Sequence, residues 1–167
     1  MKRITLGLTI ALAALSLGTA ATACSALLPH PALPGETSAQ LIARGKRMHQ
    51  DALRTRADSV FLAQVSAARM IGQLDAEYTL TPFFALYDTS QPDAPVVMND
   101  SPLVTACEVE PDLGRVYVVY AARHETGWRV IEIVRHADLQ DPPPGMPTAR
   151  DMARGFYQLP TYPDPPR

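Results

Sequence analysis

The two cysteines of this sequence, Cys24 and Cys107, are the residues with the most chemistry open to them. In an oxidising compartment two thiols most simply form one disulfide. If Cys24 becomes the first residue of a processed chain, its thiol can instead carry a lipid, or its neutral α-amine can ligate a metal. The sequence leaves these three fates of Cys24 open, and nothing in it identifies an enzyme.

The other groups capable of catalysis or metal binding are scattered along the chain. The histidines show no H-x-x-H or H-x-x-x-H spacing, so a helical zinc site is not predicted. The serines lack a nucleophile-elbow context, and the carboxylate pairs are typical of solvated strand or loop positions. Cys107 with His124 as its base is the remaining nucleophile arrangement, and a disulfide would block it. We therefore predict no catalytic residue, no native metal and no cofactor. The groups considered are His30, His49, His124, His136, Ser59, Ser66, Asp75, Glu77, Glu108 and Glu110.

Cys24 follows a segment that has the pattern of an export signal. Met1-Lys2-Arg3 is short and basic, and residues 4–23 carry no charge. Ala21-Thr22-Ala23 is a small-x-small cleavage site, and the strongly apolar part of the segment, 6–17, is too short to span a bilayer. We predict a signal peptide over 1–23 and a periplasmic or extracellular protein. Because Ala21-Thr22-Ala23-Cys24 also resembles a weak lipobox, a lipoprotein anchored at Cys24 is the alternative, and only then would the chain be attached to a membrane.

Charge and length exclude some partners. The 167-residue chain has a formal net charge of −2, and loss of Lys2 and Arg3 with the signal makes the mature chain more acidic. It has no basic run, so nucleic acid is not expected to be a partner. The length after processing suits one domain. A Cys24–Cys107 disulfide would close a loop of roughly 80 residues, which the chain-entropy model values at roughly 4.5 kcal/mol.

Periodicity predicts one long helix followed by several short strands. The proline-rich segment 25–35 cannot be regular helix or central strand. Thr37 or Ser38 then offers an N-cap for a helix over 38–56, whose basic residues form either a docking patch or a solvated face. Strands are expected at 58–65, 77–88, 96–98, 103–105, 115–122 and 128–134, with a bulge or sheet edge at Pro82 and a hairpin loop at 124–127. A short helix is expected within 148–156.

These elements describe a mainly β protein, a small barrel or sandwich preceded by a helix. Both faces of the 115–122 strand are apolar, which suits a strand inside such a barrel. Aromatic residues that could bind a nucleic acid or a sugar instead alternate as core residues. They are Tyr78, Phe83, Phe84, Tyr87, Tyr117, Tyr120 and Trp128.

Three short segments resemble the netrin-like domains, the group that includes the tissue inhibitors of metalloproteinases. Residues 57–65 resemble the first barrel strand of that family. Cys107 followed by residues 114–121, Gly-Arg-Val-Tyr-Val-Val-Tyr-Ala, resembles its cysteine, short loop, glycine and "YLVYA"-type strand. Cys24-Ser25-Ala26 resembles its opening cysteine. The resemblance covers about 24–135, although Ala26 stands where the inhibitors have a second cysteine and their other disulfides are absent.

The resemblance implies an OB-like five-stranded β-barrel to which a Cys24–Cys107 disulfide attaches the N-terminal segment. It also implies that the amine and carbonyl of Cys24 could chelate the zinc of a bound metalloprotease. The expected organisation is a signal peptide over 1–23, an N-terminal segment and helix over 24–57, the barrel over 58–140 and a proline-rich tail over 141–167. The predicted function is a non-catalytic module that binds another protein in the cell envelope or outside the cell. The alternatives are a metalloprotease inhibitor acting through the Cys24 amine and an envelope lipoprotein.

Overall fold

The computed structural model describes residues 31–72, 75–100 and 111–153 of the chain. Within them, two α-helices and five β-strands follow one another, with one 3-10 turn after the last strand. The elements are α1 Ser38–Arg56, β1 Ser59–Met70, β2 Ala76–Ala85, β3 Val96–Asp100, β4 Val116–His124, β5 Gly127–Arg135, the 3-10 turn His136–Asp138 and α2 Ala149–Ala153.

Helix α1 has the predicted bounds, and its N-cap is Thr37. The Thr37 hydroxyl accepts from the backbone N–H of Gln40 at 3.3 Å, and the Gln40 side chain accepts from the backbone N–H of Thr37 at 2.9 Å. This reciprocal capping box satisfies two donors that the first turn would otherwise leave unpaired. Arg54 and Arg56 lie in the last turn, where positive charge interacts favourably with the helix dipole.

The five strands form one antiparallel sheet in the order β3-β2-β1-β4-β5. The sheet curls so that its two edge strands, β3 and β5, approach each other, with Cα atoms within 8 Å. The result is a curled half-barrel preceded by one long helix. The predicted mainly β, OB-like fold with an N-terminal helix is therefore confirmed.

The curled sheet has an apolar core on each side, because its central strands alternate apolar residues on both faces. Tyr117, Val119 and Ala121 of β4 lie in the inner core, and Val118 and Tyr120 lie in the outer one. The aromatic residues predicted to be core all pack in or against these two clusters. The inner cluster contains Phe61, Ala63, Val65, Ala76, Tyr78, Leu80, Val96, Tyr117, Val119, Ala121 and Ile133.

The outer cluster is covered by α1 and by the segment that follows β5. Leu53 of α1 is 2 % exposed and packs there together with Leu139, while Met146 packs at its margin. The apolar residues that indicated the helix by their spacing do not all face the sheet, because Ile42 and Met48 remain 46 % and 43 % exposed. Most of the helix face that contacts the rest of the protein is polar and includes Lys46, His49 and Gln50.

Strand bounds differ from the prediction where backbone irregularities fall. The expected bulge is present, since Phe83 is the extra residue between the pairs Leu62↔Phe84 and Ala63↔Pro82. Strand β2 ends at Ala85 rather than at residue 88, because Tyr87 and Asp88 have φ angles of 53° and 57° and form a tight turn. The strand predicted over 103–105 and the end of the helix predicted over 148–156 lie outside the described residues.

Strand β1 is longer than predicted, and this changes the shape of one end of the half-barrel. It continues to Met70 rather than ending at Val65. Strand β4 begins only at Val116, which pairs with Gln64. The last part of β1 therefore extends past the start of β4, paired on one side with β2.

Candidate functional site

The principal predicted site residues, Cys24 and Cys107, both lie outside the described residues. Their disulfide, the lipidation of Cys24 and its role as a ligand for protease zinc therefore stay predictions. His30, Glu108 and Glu110 also lie outside the described ranges.

Of the three remaining histidines, His49 and His136 form hydrogen bonds between distant parts of the chain. Nε2 of His49 on α1 lies 2.7 Å from a carboxylate oxygen of Glu132 on β5. Nε2 of His136 lies 2.8 Å from the backbone oxygen of Pro147, and His124 ends β4 next to the hairpin turn. Across 31–72, 75–100 and 111–153, no three His, Cys, Asp or Glu side chains come together as a set that could hold a metal ion.

Both serines considered as nucleophiles have structural hydrogen bonds. The Ser59 hydroxyl donates to the backbone oxygen of Ser90. The Ser66 hydroxyl donates to the backbone oxygen of Thr79 at 3.2 Å and accepts from Thr81 at 2.8 Å. Neither serine has a histidine among its hydrogen-bond partners in the part of the chain that the structure describes, so these contacts do not assemble a nucleophile and its base.

Two basic residues near the middle of α1 form ion pairs with a distant part of the chain. Lys46 and Arg47 each lie 2.6 Å from a carboxylate, that of Asp138 and that of Asp141 respectively. Both partners lie in the segment after β5. The sequence suggested either a docking patch or a solvated face for these basic residues, and neither interpretation included ion pairs with the segment after β5.

Gln50 joins α1 to the same segment and is 6 % exposed. Its amide nitrogen donates to the backbone oxygen of Asp138 at 3.0 Å, and its amide oxygen accepts from the backbone N–H of Gln140 at 2.8 Å. One buried side chain thus forms hydrogen bonds with two backbone groups of this partly buried segment. Together with Leu53, it fixes the helix across the outer face of the sheet.

Glu36 precedes α1 and fixes its N-terminal end. The carboxylate accepts from Nε and Nη2 of Arg44, both at 2.8 Å, and from the backbone N–H of Leu33 at 2.9 Å. The hydrogen bond from Arg44, followed by that from Leu33, lowers the pKa of Glu36 from 4.5 to about 2. Because Arg44 and Arg47, the two arginines that line the groove at 33–47, are both in ion pairs, this groove offers no free cation among its lining residues.

Tyr120 is the one side chain for which a buried polar atom lacks a hydrogen-bond partner in the described part of the chain. It is 0 % exposed and lies in the outer core near Tyr87 and Glu132. Burial, followed by the field of the neighbouring Tyr87, raises the pKa of Tyr120 above its ordinary value of 10.0. The hydroxyl is buried, and Tyr120 lines neither the groove at 33–47 nor the groove beside the start of β4.

The most unusual surface is the end of β1 that extends past β4. The backbone N–H of Ile71 donates to Asp75 at 3.0 Å, so alternation directs the backbone groups of Arg69 and Ile71 toward β2. The backbone groups of Ala68 and Met70 therefore point to the other side. The last backbone bonds to the segment before β4 are made by Val65, and none of the described residues pairs with β1 beyond it. We call the stretch 67–70 the open edge.

Apolar side chains surround the tip of this hairpin. Residues 66–70 are all exposed, and Met70 and Ile71 keep 64 % and 48 % of their surface accessible. Arg69, which precedes them, is paired with Glu77 on the neighbouring strand β2 through hydrogen bonds of 2.5 Å and 3.0 Å. This pair neutralises Arg69 and lowers the pKa of Glu77 through the Arg69 hydrogen bond, so the exposed carboxylate of Asp75 is the charge left at the described part of the tip.

A groove of about 600 Å³ lies beside the open edge, where β4 begins and β5 ends. Arg115 and Arg135 line it, and neither guanidinium has an ion pair or hydrogen bond to any residue that the structure describes. Gln64 forms part of one wall and donates to the backbone oxygen of Gly114 at 2.9 Å. The whole lining consists of Gln64, Asp112, Gly114, Arg115, Val116, Tyr117, Arg135, His136, Ala137, Ala149 and Met152.

The sequence analysis did not identify the open edge or the groove. Both depend on how far each strand extends, and the bulge after Val65 that lets β1 continue has no signature in the residues around it. A weak signal existed in Gly114, whose φ of 79° favours glycine and marks the point at which the chain turns into β4.

Comparison of the chain with protein-family models, with curated proteins and with solved structures finds no match. Among the described helices, none has the length and apolar character required to cross a membrane.

Proposed function

We propose that this chain is an exported, non-catalytic module that binds an extended segment of another protein. The observation that carries the proposal is the open edge at 67–70, which ends in the exposed side chains of Met70 and Ile71. A strand whose backbone donors and acceptors lack a neighbour is a template for pairing with another chain. Main-chain hydrogen bonds supply the affinity in such pairing, and the exposed side chains supply the specificity.

Among the residues that the structure describes, the open edge lacks the features that usually protect a sheet edge. Natural proteins place lysine, proline or an unpaired inward charge on such strands. Here the charge of Arg69 is neutralised by Glu77, and Ala67, Ala68 and Met70 are small or apolar. The bulge after Val65 interrupts the sheet before the open edge and does not cover it. A strand that pairs with 67–70 would therefore meet no unpaired charge from Arg69, and no proline removes a backbone N–H from this stretch.

The absence of catalytic function is supported by the contacts of the reactive side chains. His49, His136, Ser59 and Ser66 all have structural partners that would have to be broken before they could take part in a reaction. Export is supported by the signal pattern over 1–23, and the two cysteines of the sequence are consistent with an oxidising compartment.

The proposal is tested by selecting short random peptides displayed on phage against the purified mature protein. We expect enrichment of peptides with alternating apolar residues, which are typical of extended strands. Ala68→Pro removes one outward N–H while proline remains compatible with an edge position, so it should abolish binding of the enriched peptides. Ala68→Val keeps the N–H and is the matched control, which should bind as the wild type does.

Two results would overturn the proposal. One is a selection that enriches no peptide on the wild-type protein. The other is an Ala68→Pro variant that remains folded and binds the enriched peptides as tightly as Ala68→Val. Circular dichroism and a thermal melt of both variants separate loss of the edge from loss of the fold.

The N-terminal alternatives, a lipoprotein and a metalloprotease inhibitor, differ from this proposal at Cys24. Intact-mass measurement of the mature protein distinguishes two forms. A protein with a free N-terminus and a disulfide is lighter by two hydrogens than the reduced chain, whereas a lipoprotein is heavier by its acyl chains. A blocked amine would exclude inhibition through Cys24. A free amine that causes no loss of activity in a panel of zinc proteases would exclude it as well.

A further inference from the structure

The groove and the open edge form one continuous surface. Val65 makes the last backbone bonds to the segment before β4, with Gly114 at 2.8 Å and Arg115 at 3.0 Å, and Gly114 and Arg115 both line the groove. A strand added at Ala68 in the antiparallel sense would run in the same direction as β4. Antiparallel pairs are the commoner arrangement, so the C-terminal end of such a strand would point toward the groove.

The groove has an excess of positive charge. Arg115 and Arg135 are both exposed and line the groove together, and neither forms an ion pair with a described residue. Asp112 is the acid that lines the groove. The imidazole of His136 is engaged with the backbone oxygen of Pro147 and is not counted toward the charge.

Arg135 is the last residue of β5 and Arg115 immediately precedes β4, and both line the groove at one end of the half-barrel. Arg135 is paired in register with Tyr117 at the end of β5, and Arg115 lies two positions before Tyr117. Guanidinium groups bind carboxylates through two parallel hydrogen bonds, which single amines cannot reproduce. The remaining walls, formed by residues such as Val116, Ala137 and Met152, suit the aliphatic part of an acidic side chain.

We propose that this groove binds the carboxylates of acidic residues that immediately follow the strand-forming part of the partner segment. This inference rests on the proposed function, and it adds the chemistry and the direction of the bound segment. Arg115 and Arg135 bind the carboxylates, while the open edge binds the backbone ahead of them. The partner is thus an extended apolar segment with glutamate or aspartate at its C-terminal side.

The test uses the peptides enriched by phage selection on the wild-type protein. We expect acidic residues to concentrate at the C-terminal side of the enriched sequences. Replacing them with the corresponding amides should weaken binding about tenfold, which is about 1.4 kcal/mol. In the Arg115→Gln/Arg135→Gln double variant, the acidic and amide peptides should bind equally. Arg129→Gln is the control, because Arg129 is exposed near the opposite end of β5 and does not line the groove.

Several outcomes would contradict the inference while leaving the proposed function intact. Enriched peptides could bind at the open edge with no acidic preference, or with the acidic residues at the N-terminal side. Equal discrimination between acidic and amide peptides by the double variant and the wild type would show that these arginines do not bind the carboxylates. A selection without enrichment on the wild type, in contrast, would overturn the proposed function and this inference together.

Discussion

Replacing Tyr120 by phenylalanine tests the packing of α1 on the sheet. The Tyr120 hydroxyl is fully buried and has no hydrogen-bond partner among the described residues. In the unfolded chain the same hydroxyl is bonded to water, so folding costs its desolvation, about 1–3 kcal/mol. Removing the oxygen removes that cost and leaves only a small space. We expect Tyr120→Phe to raise the free energy of unfolding by about 1 kcal/mol.

Tyr117→Phe is the matched control, because the substitution is the same on the same strand. Tyr117 is 2 % exposed, but it faces the inner core and its hydroxyl accepts from the backbone N–H of Asp112 at 2.9 Å. Losing this bond should lower the free energy of unfolding by about 0.5–1.5 kcal/mol. The two variants should therefore change stability in opposite directions.

Chemical denaturation by urea, followed by circular dichroism, measures both effects, and a thermal melt gives a second reading. A gain of 1 kcal/mol corresponds to a rise in melting temperature of about 2–4 °C for a domain of this size. If Tyr120→Phe instead lowers the free energy of unfolding by about 1 kcal/mol or more, the hydroxyl has a partner such as an internal water. The account of this interface would then be wrong.

The pH dependence of stability gives an independent check on Tyr120. Burial raises the pKa of Tyr120 in the folded state, while the unfolded chain keeps the ordinary value of 10.0. Above pH 10 the unfolded state releases this proton first, so the folded state loses stability as the pH rises. Tyr120→Phe should reduce the decline in stability above pH 10, provided that both proteins are compared over the reversible range. An unchanged decline would contradict burial of the hydroxyl.

Three further predictions concern other parts of the molecule. Gln50→Leu leaves the backbone N–H of Gln140 without its partner and removes one of two donors to the backbone oxygen of Asp138, so it should lower the free energy of unfolding by about 1–3 kcal/mol in a urea titration, and a loss below about 0.5 kcal/mol would contradict the contact. Glu36 should titrate by NMR at about pH 2, and Arg44→Gln should move its pKa back toward 4.5. The folded-state pKa is the lower one, so this carboxylate stabilises the protein above pH 4.5 and its contribution is lost as the pH falls toward 2; an unshifted Glu36 would refute the pairing. Cys107→Ser should cost several kcal/mol in an oxidising buffer and nothing under reducing conditions, whereas an unchanged melt in the oxidising buffer would argue against the predicted disulfide.

The fold was predictable from the sequence because its signals are local. Thr37 followed by Gln40 marks the start of α1, and the alternation of β4 shows that both faces of that strand are buried. The β4–β5 hairpin follows from Gly127 and the two apolar runs on either side of it. Each of these signals lies within a few residues, so tertiary contacts were not needed to interpret it.

The contacts that orient α1 were not predictable in the same way. Gln50 and Lys46 bond to residues near position 138, far away in the sequence, and polar side chains at helical spacing look the same whether they meet water or a partner. The open edge was missed for a related reason. A strand that loses one neighbour at Val65 keeps the composition of a paired strand, and only the register with β4 shows where pairing stops.

The open edge is tested most directly by amide hydrogen exchange on the protein with and without an enriched peptide. Exchange reports on the backbone N–H groups themselves, so it locates the bound strand without assumptions about side chains. We predict that the amides of Ala68 and Met70 exchange rapidly in the free protein and become protected when the peptide binds. Protection that appears on β3 or β5, with Ala68 and Met70 unchanged, would contradict the proposed binding edge.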